Sequence, residues 1–242
     1  MSMRTIVILL SFLMMTAPTY AAAGEYEVGE GVYGRYCVGC HGVKGDGRGP
    51  GAKLLVVKPR DFTSGTFKFK STPTGSLPTD EDLMRTITRG LPGSSMPEYI
   101  LVAEKERLAV IEYIKGFSDR WKTEKPKEPV TLPGPPDSVG SPESIDKGKG
   151  TYLGPGGCMI CHGPAGDGKG PIAASLTDNW GNPVKPANFL RGVLRAGSSP
   201  KDIFRTLKTG VEGTPMPAFG GMLTDEQLWE LASYLTSLRE KD

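Results

Sequence analysis

The sequence predicts a helical protein of two similar units joined by a proline-rich linker. A series of short motifs occurs twice in the same order, once in residues 24–120 and again in residues 144–242. An apolar stripe with helical spacing lies near the end of each copy. Residues 121–143, between the copies, contain six prolines, so we expect this stretch to be extended and semi-rigid, with no core of its own.

The repeated motifs correspond along the whole length of the two copies. Five pairs match in order: 37–41 with 158–162, 45–50 with 166–171, 58–62 with 185–189, 85–90 with 205–210, and 96–97 with 216–217. The second copy has extra residues before Phe189 and a shorter stretch after it. The repeat therefore predicts two domains of one architecture.

Helices are expected at matching places in the two units. The apolar stripes consist of Val110, Tyr113, Ile114 and Phe117 in unit one, and of Leu228, Leu231, Leu235 and Leu238 in unit two. Thr224 and Gln227 form a capping box ahead of the last helix, and Ser199 before Pro200 predicts another helix start.

Two differences between the copies affect these helices. Residues 154–157, of sequence Gly-Pro-Gly-Gly, stand directly before Cys158, so the first helix of unit two should end earlier than that of unit one. Ala103 takes the place of Thr224, so the last helix of unit one lacks the obvious cap.

Residues 1–23 have the features of a secretory signal peptide. Arg4 supplies the positive region, residues 6–15 form a short apolar core, and residues 21–23 are alanines suited to cleavage. The apolar core is too short to span a bilayer comfortably. We therefore expect export to the bacterial periplasm, with any membrane association made through a partner; an uncleaved anchor is the alternative.

Each unit contains one Cys-x-x-Cys-His motif, the signature of covalent haem attachment. Two thiols separated by two residues can add across the two vinyl groups of one haem, and the adjacent histidine can then ligate the iron. The thiols are those of Cys37, Cys40, Cys158 and Cys161, and the histidines are His41 and His162. The sequence therefore predicts two covalently bound haem c groups.

The four cysteines also allow three other interpretations. Two disulfides would suit a secreted protein, but pairs only two residues apart make poor structural links and leave the histidines unexplained. A four-cysteine zinc site would need both pairs to come together. A thioredoxin-like redox pair would need a βαβ context, which the sequence does not show. Two complete motifs with no cysteine left over favour haem.

A count of the residues able to ligate iron limits which side chain can be the sixth ligand of each iron. His41 and His162 are the only histidines, and no cysteine is spare. Methionine is then the usual remaining ligand. Met96 and Met216 correspond between the repeats, each followed by proline in a glycine-rich stretch, whereas Met222 is interpreted as a packing residue.

Together these motifs resemble the tandem class I cytochromes c, over essentially the whole chain after residue 23. The resemblance implies an all-α fold of two class I cytochrome c-like domains, in which three helices of each domain wrap a haem. It also implies that a proline carbonyl holds the ring of each proximal histidine. That role falls to Pro50 and Pro171, each nine positions after its histidine.

The resemblance implies single-electron transfer between redox partners of a respiratory chain, either as a soluble shuttle or as the haem subunit of a larger assembly such as a membrane oxidoreductase complex. A net charge of +2 and few aromatic residues remove any general argument for nucleic-acid binding. The alternative is a dihaem enzyme of the peroxidase or thiosulfate dehydrogenase type. A dihaem peroxidase would usually need an additional histidine. Thiosulfate dehydrogenases of the dihaem type resemble this chain in layout but use a cysteine ligand, and this chain has neither residue to spare.

The charge of unit one is uneven, which suggests a docking face for an acidic partner. Seven cations lie close to the first attachment motif: Lys44, Arg48, Lys53, Lys58, Arg60, Lys68 and Lys70. Only Asp46 and Asp61 offset them. Long-range attraction by such a face would speed the encounter with the partner. The alternative is that these cations neutralise haem propionates or are simply solvated.

Overall fold

The computed structural model describes the backbone of residues 19–239 and the side chains of residues 24–239. The predicted signal peptide lies outside the described residues, except for 19–23, which begin the first helix. The described chain has no strand, only an isolated bridge between Thr177 and Pro183, so the predicted all-α fold is confirmed. The helices are α1 Thr19–Tyr36, α2 Val38–His41, α3 Asp80–Arg89, α4 Glu104–Lys115, α5 Arg120–Thr123, α6 Pro142–Leu153, α7 Met159–His162, α8 Pro200–Thr209 and α9 Asp225–Ser237.

Each unit is built on a pair of crossing helices, α1 with α4 in unit one and α6 with α9 in unit two. A glycine stands at each crossing. A side chain at Gly29 would run into the backbone carbonyl of Ala109, and one at Gly148 would run into that of Glu230. Because glycine has no Cβ, the two backbones can approach closely at both crossings.

The helix ends follow their sequence signals. Thr224 and Gln227 form the predicted capping box of α9, and Ser199 caps α8. Ala103 makes no side-chain bond at the start of α4, as expected. Helix α1 ends directly before Cys37, whereas α6 ends at Leu153 and a turn leads from there to Cys158. The first helix of unit two therefore ends earlier than that of unit one, as the Gly-Pro-Gly-Gly sequence of residues 154–157 predicted.

The linker is irregular over most of its length, but it is attached to both units. The backbone N–H of Val130 donates to Ser71 O at 2.8 Å, and that of Lys127 donates to Ser76 Oγ at 2.9 Å. Leu132 packs against the core of unit two. At its ends, residues 121–123 belong to α5 and residues 142–143 begin α6.

The two units also contact each other directly. Three ion pairs cross between them: Lys68–Asp178 at 3.3 Å, Lys70–Glu212 at 2.7 Å and Arg89–Asp202 at 3.8 Å. Residues 176–185 of unit two, here called the cross-unit loop, fall within the stretch lengthened by the extra residues of the second copy. This loop carries Asp178 and Trp180 to the surface of unit one.

Candidate haem centres

A cavity of about 1510 Å³ runs through both units. This is larger than the ~300–1,000 Å³ of an ordinary ligand pocket, so it has room for more than one ordinary ligand. The predicted site residues that line it are Cys37, His41 and Met96 from unit one, and Cys158, Cys161, His162 and Met216 from unit two. The structure thus brings both sets of predicted ligands to one continuous space.

Each attachment motif forms a single helical turn. In unit one, the N–H groups of Cys40 and His41 both donate to Cys37 O, at 3.1 and 2.9 Å. The corresponding bonds to Cys158 O in unit two are 3.3 and 2.9 Å long. The four cysteines are partly buried and unpaired. Burial raises the pKa of Cys37 and that of Cys158 to about 11, so these thiols are neutral near pH 7.

The histidine rings are held in the same way in both units. His41 Nδ1 lies 3.0 Å from Arg60 O, and His162 Nδ1 lies 3.1 Å from Ala187 O. A carbonyl can only accept, so Nδ1 carries the proton and Nε2 is left free to ligate a metal. Desolvation by burial lowers the pKa of both histidines, which favours the neutral ring that a metal requires.

Pro50 and Pro171 do not hold the histidines, and this expectation was wrong. After the attachment motif the chain folds back, with Gly49 N donating to Cys40 O at 3.0 Å, and Pro50 then opens the 3₁₀ turn Pro50–Leu54. Gly170 N makes the same bond to Cys161 O ahead of Pro171. The chain passes the histidine ring only later, in the Lys-Pro-x-[Asp/Asn]-Phe motif.

That later motif also supplies an aromatic contact that sequence reasoning missed. Phe62 stacks on His41 with ring centroids 4.4 Å apart, and Phe189 stacks on His162 at 4.7 Å. The motif was visible as a repeat, and its fixed phenylalanine was the available signal. Its residues therefore make two contacts that position the histidine, a hydrogen bond through a backbone carbonyl and a stack with the phenylalanine ring.

In each unit a buried tyrosine donates a hydrogen bond to the glycine that directly follows the attachment motif. Tyr33 Oη donates to Gly42 O at 2.7 Å, and Tyr152 Oη donates to Gly163 O at 2.6 Å. Burial raises the pKa of both phenols, so they remain donors at all ordinary pH values. The pair is hard to see in sequence because the Gly-Pro-Gly-Gly insertion gives the two tyrosines different spacings to their cysteines.

Met96 and Met216 sit in loops of the same construction. The N–H of Leu91 donates to Met96 O at 3.0 Å, and that of Val211 donates to Met216 O at 3.1 Å. Each methionine N–H is 3.2 Å from a hydroxyl two residues earlier. Met222, by contrast, is 61% exposed and does not line the cavity.

The charges along the cavity suit an apolar ligand with anionic groups. Among the described residues that line the cavity, Asp167 is the only carboxylate, against eight cations: Lys58, Lys68, Lys169, Lys185, Arg60, Arg107, Arg191 and Arg195. Haem is apolar except for its propionates, so thiols, histidines, apolar walls and excess positive charge all fit it. Burial lowers the pKa of Arg60 to about 10, and this guanidinium is still charged near pH 7.

Comparisons with known proteins agree with this geometry. The family model described as cytochrome c matches residues 26–118, and the model described as cytochrome c oxidase, cbb3-type, subunit III, matches residues 143–235. A chain of the reducing HAO-like protein complex of Kuenenia stuttgartiensis is 40% identical with a TM-score of 0.86, over 88% of this chain and 96% of that one. The chain belongs to the cytochromes c. No curated protein matches it.

As a cytochrome c with two such domains, the chain carries two covalently bound haem c groups. Cys37 with Cys40 and Cys158 with Cys161 fit the attachment of one haem each. Bound haem supplies a one-electron iron couple. Among the described residues, no helix has the length and apolar character needed to cross a membrane.

Proposed function

We propose that this cytochrome c transfers single electrons between redox protein partners in the periplasm, with His41 and Met96 ligating one iron and His162 and Met216 the other. Full ligation from the chain leaves no open position for a substrate, which favours an electron carrier over a dihaem enzyme. The matching relative belongs to a protein complex, which supports a role as a fixed electron-transfer subunit; a free shuttle is the alternative.

The observation that carries the proposal is the placement of the two corresponding methionines. Met96 and Met216 line the cavity on loops closed by identical bonds, while Met222 lies on the surface. Methionine stabilises reduced iron and raises the reduction potential, as suits a carrier.

The ligands are tested by the weak near-infrared absorption that a sulfur–iron bond gives in the oxidised protein. Met96→Ala and Met216→Ala should each abolish about half of this absorption, since each removes one of two such ligands. Met222→Ala is the matched control and should leave it unchanged. High-spin iron in the unmodified protein would contradict the proposal and favour the enzyme.

The docking face of unit one is smaller than its sequence suggests. Arg60, Lys68 and Lys70 turn toward unit two, where Lys68 and Lys70 form ion pairs. The remaining cations Lys44, Arg48, Lys53 and Lys58 are exposed, and they lie in the same stretch of chain as the exposed apolar residues Val43, Leu54 and Val56. We infer that this face meets a partner with an acidic surface.

Electron exchange with that partner should slow as salt rises, because screening acts over about 8–10 Å at physiological ionic strength. Lys44→Glu with Lys53→Glu should slow it further and leave the spectra unchanged. Lys149→Glu, an exposed site on α6 of unit two, is the matched control. A rate that responds to Lys149→Glu as strongly as to the unit-one variants would refute this docking face.

A further inference from the structure

The cross-unit loop is rigid and is built around one carboxylate. Asp178 Oδ1 accepts from Trp180 N at 3.1 Å and from Asn182 N at 2.9 Å. Backbone bonds close the loop, from Asp178 N to Asn182 O and from Val184 N to Leu176 O. Its conformation is therefore fixed within unit two.

Trp180 lies at the tip of this loop and contacts both units. The guanidinium of Arg60, in unit one, lies over its ring at 4.1 Å from the centroid. Within unit two the ring packs on Gly213, in the loop that leads to Met216, so closely that a side chain at Gly213 would overlap it. The loop is anchored there by Asn179 N, which donates to Gly213 O at 2.9 Å.

Arg60 is the residue whose carbonyl holds the histidine of unit one. Its backbone oxygen lies 3.0 Å from His41 Nδ1, and its side chain both lines the cavity and stacks on Trp180. The corresponding carbonyl in unit two belongs to Ala187, which has no side chain able to reach across. The stack of Arg60 on Trp180 thus reaches the carbonyl that holds the histidine of unit one, and unit two has no counterpart to this stack.

We propose that Trp180, although it belongs to unit two, is a positioning residue for the haem of unit one. The stacked ring holds Arg60 in place, and Arg60 in turn presents the carbonyl that orients His41 and keeps its positive charge beside the cavity. A hydrogen-bonded carbonyl on the ligating histidine fixes the ring and tunes the metal. Burial and local charge act on the reduction potential in the same way.

The test is the reduction potential of each haem in the purified dihaem protein, followed with the paramagnetically shifted NMR signals of the oxidised form. Signals are assigned to the two haems with Met96→Ala and Met216→Ala, each of which should alter one set. Trp180→Ala should lower the potential of the first haem and move its signals, because water enters beside it and Arg60 is released toward solvent. The second haem, which Trp180 reaches only through Gly213 in the loop that leads to Met216, should shift clearly less.

Trp180→Phe is the conservative control, since a flat ring still stacks on a guanidinium. In this variant the first haem should have nearly the potential and the signals of the unmodified protein. A double-mutant cycle shows whether the effect passes through Arg60. In an Arg60→Lys background, which keeps the charge and removes the planar stack, Trp180→Ala should add a clearly smaller shift than it causes alone.

Three results would overturn the proposal. One is an equal shift of both haems, which would indicate general loosening of the interface. Another is a shift confined to the second haem, the one in the unit that carries Trp180. The third is full additivity of Trp180→Ala and Arg60→Lys, which would mean that the two side chains act separately.

Discussion

Units one and two build their haem centres from the same parts, but differ in what lies beside them. Both have a single-turn attachment helix, a stacked phenylalanine and a methionine loop closed by one backbone bond. Only unit two has the cross-unit loop, and only unit one has an arginine for that loop to contact. The repeated residues thus specify the ligands, and the non-repeated residues specify how the units join.

The largest expected effect comes from removing an attachment cysteine in each unit. Cys37→Ala should abolish normal attachment in unit one and leave the second haem unchanged. Cys158→Ala should abolish normal attachment in unit two and also shift the potential of the first haem, because Leu176 and Val184 of the cross-unit loop line the cavity. Mass spectrometry of the denatured protein gives haem content, and redox titration gives the potentials. If Cys37→Ala shifted the potential of the second haem as much as Cys158→Ala shifts that of the first, the two units would not differ in this way.

A second prediction concerns the buried pair that joins the units. Lys70 and Glu212 have side chains only 2% and 13% exposed. Glu212→Ala removes the carboxylate that faces the buried Lys70 ammonium, which keeps its contacts with Thr72 and Pro73, and should lower the free energy of unfolding by about 2 kcal/mol. Denaturant unfolding, monitored through the haem absorption, measures this change in the free energy of unfolding.

The matched control for that prediction is the exposed pair of Lys122 and Asp119, whose side chains are 74% and 90% exposed. Asp119→Ala should leave the free energy of unfolding nearly unchanged, because an exposed ion pair contributes little to stability. Equal effects of the two substitutions would mean that the buried pair does not join the units.

The smallest expected effect is the difference in stability loss between alanine substitutions at two glycines with the same backbone conformation. Gly213 has φ 75° and touches the Trp180 ring, whereas Gly181 has φ 76° and open space around it. Gly181→Ala should cost about 1–2 kcal/mol of backbone strain. Gly213→Ala carries the same strain and also displaces the ring, which should add about 1 kcal/mol or more. Thermal unfolding compares them, and equal losses would argue against tight packing of Trp180.

Much of the fold was predictable because the signals are local. The Cys-x-x-Cys-His motifs, the capping box at Thr224 and the early end of α6 each depend on a few neighbouring residues. The identity of the haem c groups was predictable for the same reason. The methionine ligands could be proposed only because the repeat singles out Met96 and Met216.

The rest could not be predicted because it depends on contacts between distant residues. The carbonyl that holds His41 comes from Arg60, whereas the resemblance to class I cytochromes c implied Pro50. Lys68 and Lys70 looked like docking cations because their partners, Asp178 and Glu212, lie more than a hundred residues away. Sequence gives the charge of a segment but not the carboxylate that it will meet.

The linker acts as a tether with contacts at both ends. Its bonds to Ser71 and Ser76 fix one end on unit one, and Leu132 fixes the other on unit two. A short tether keeps one unit at a millimolar effective concentration around the other, so the ion pairs between them form as an intramolecular step. A chain cut in the linker would turn that step into a bimolecular equilibrium, and only then would the pairing of the two haem units depend on dilution.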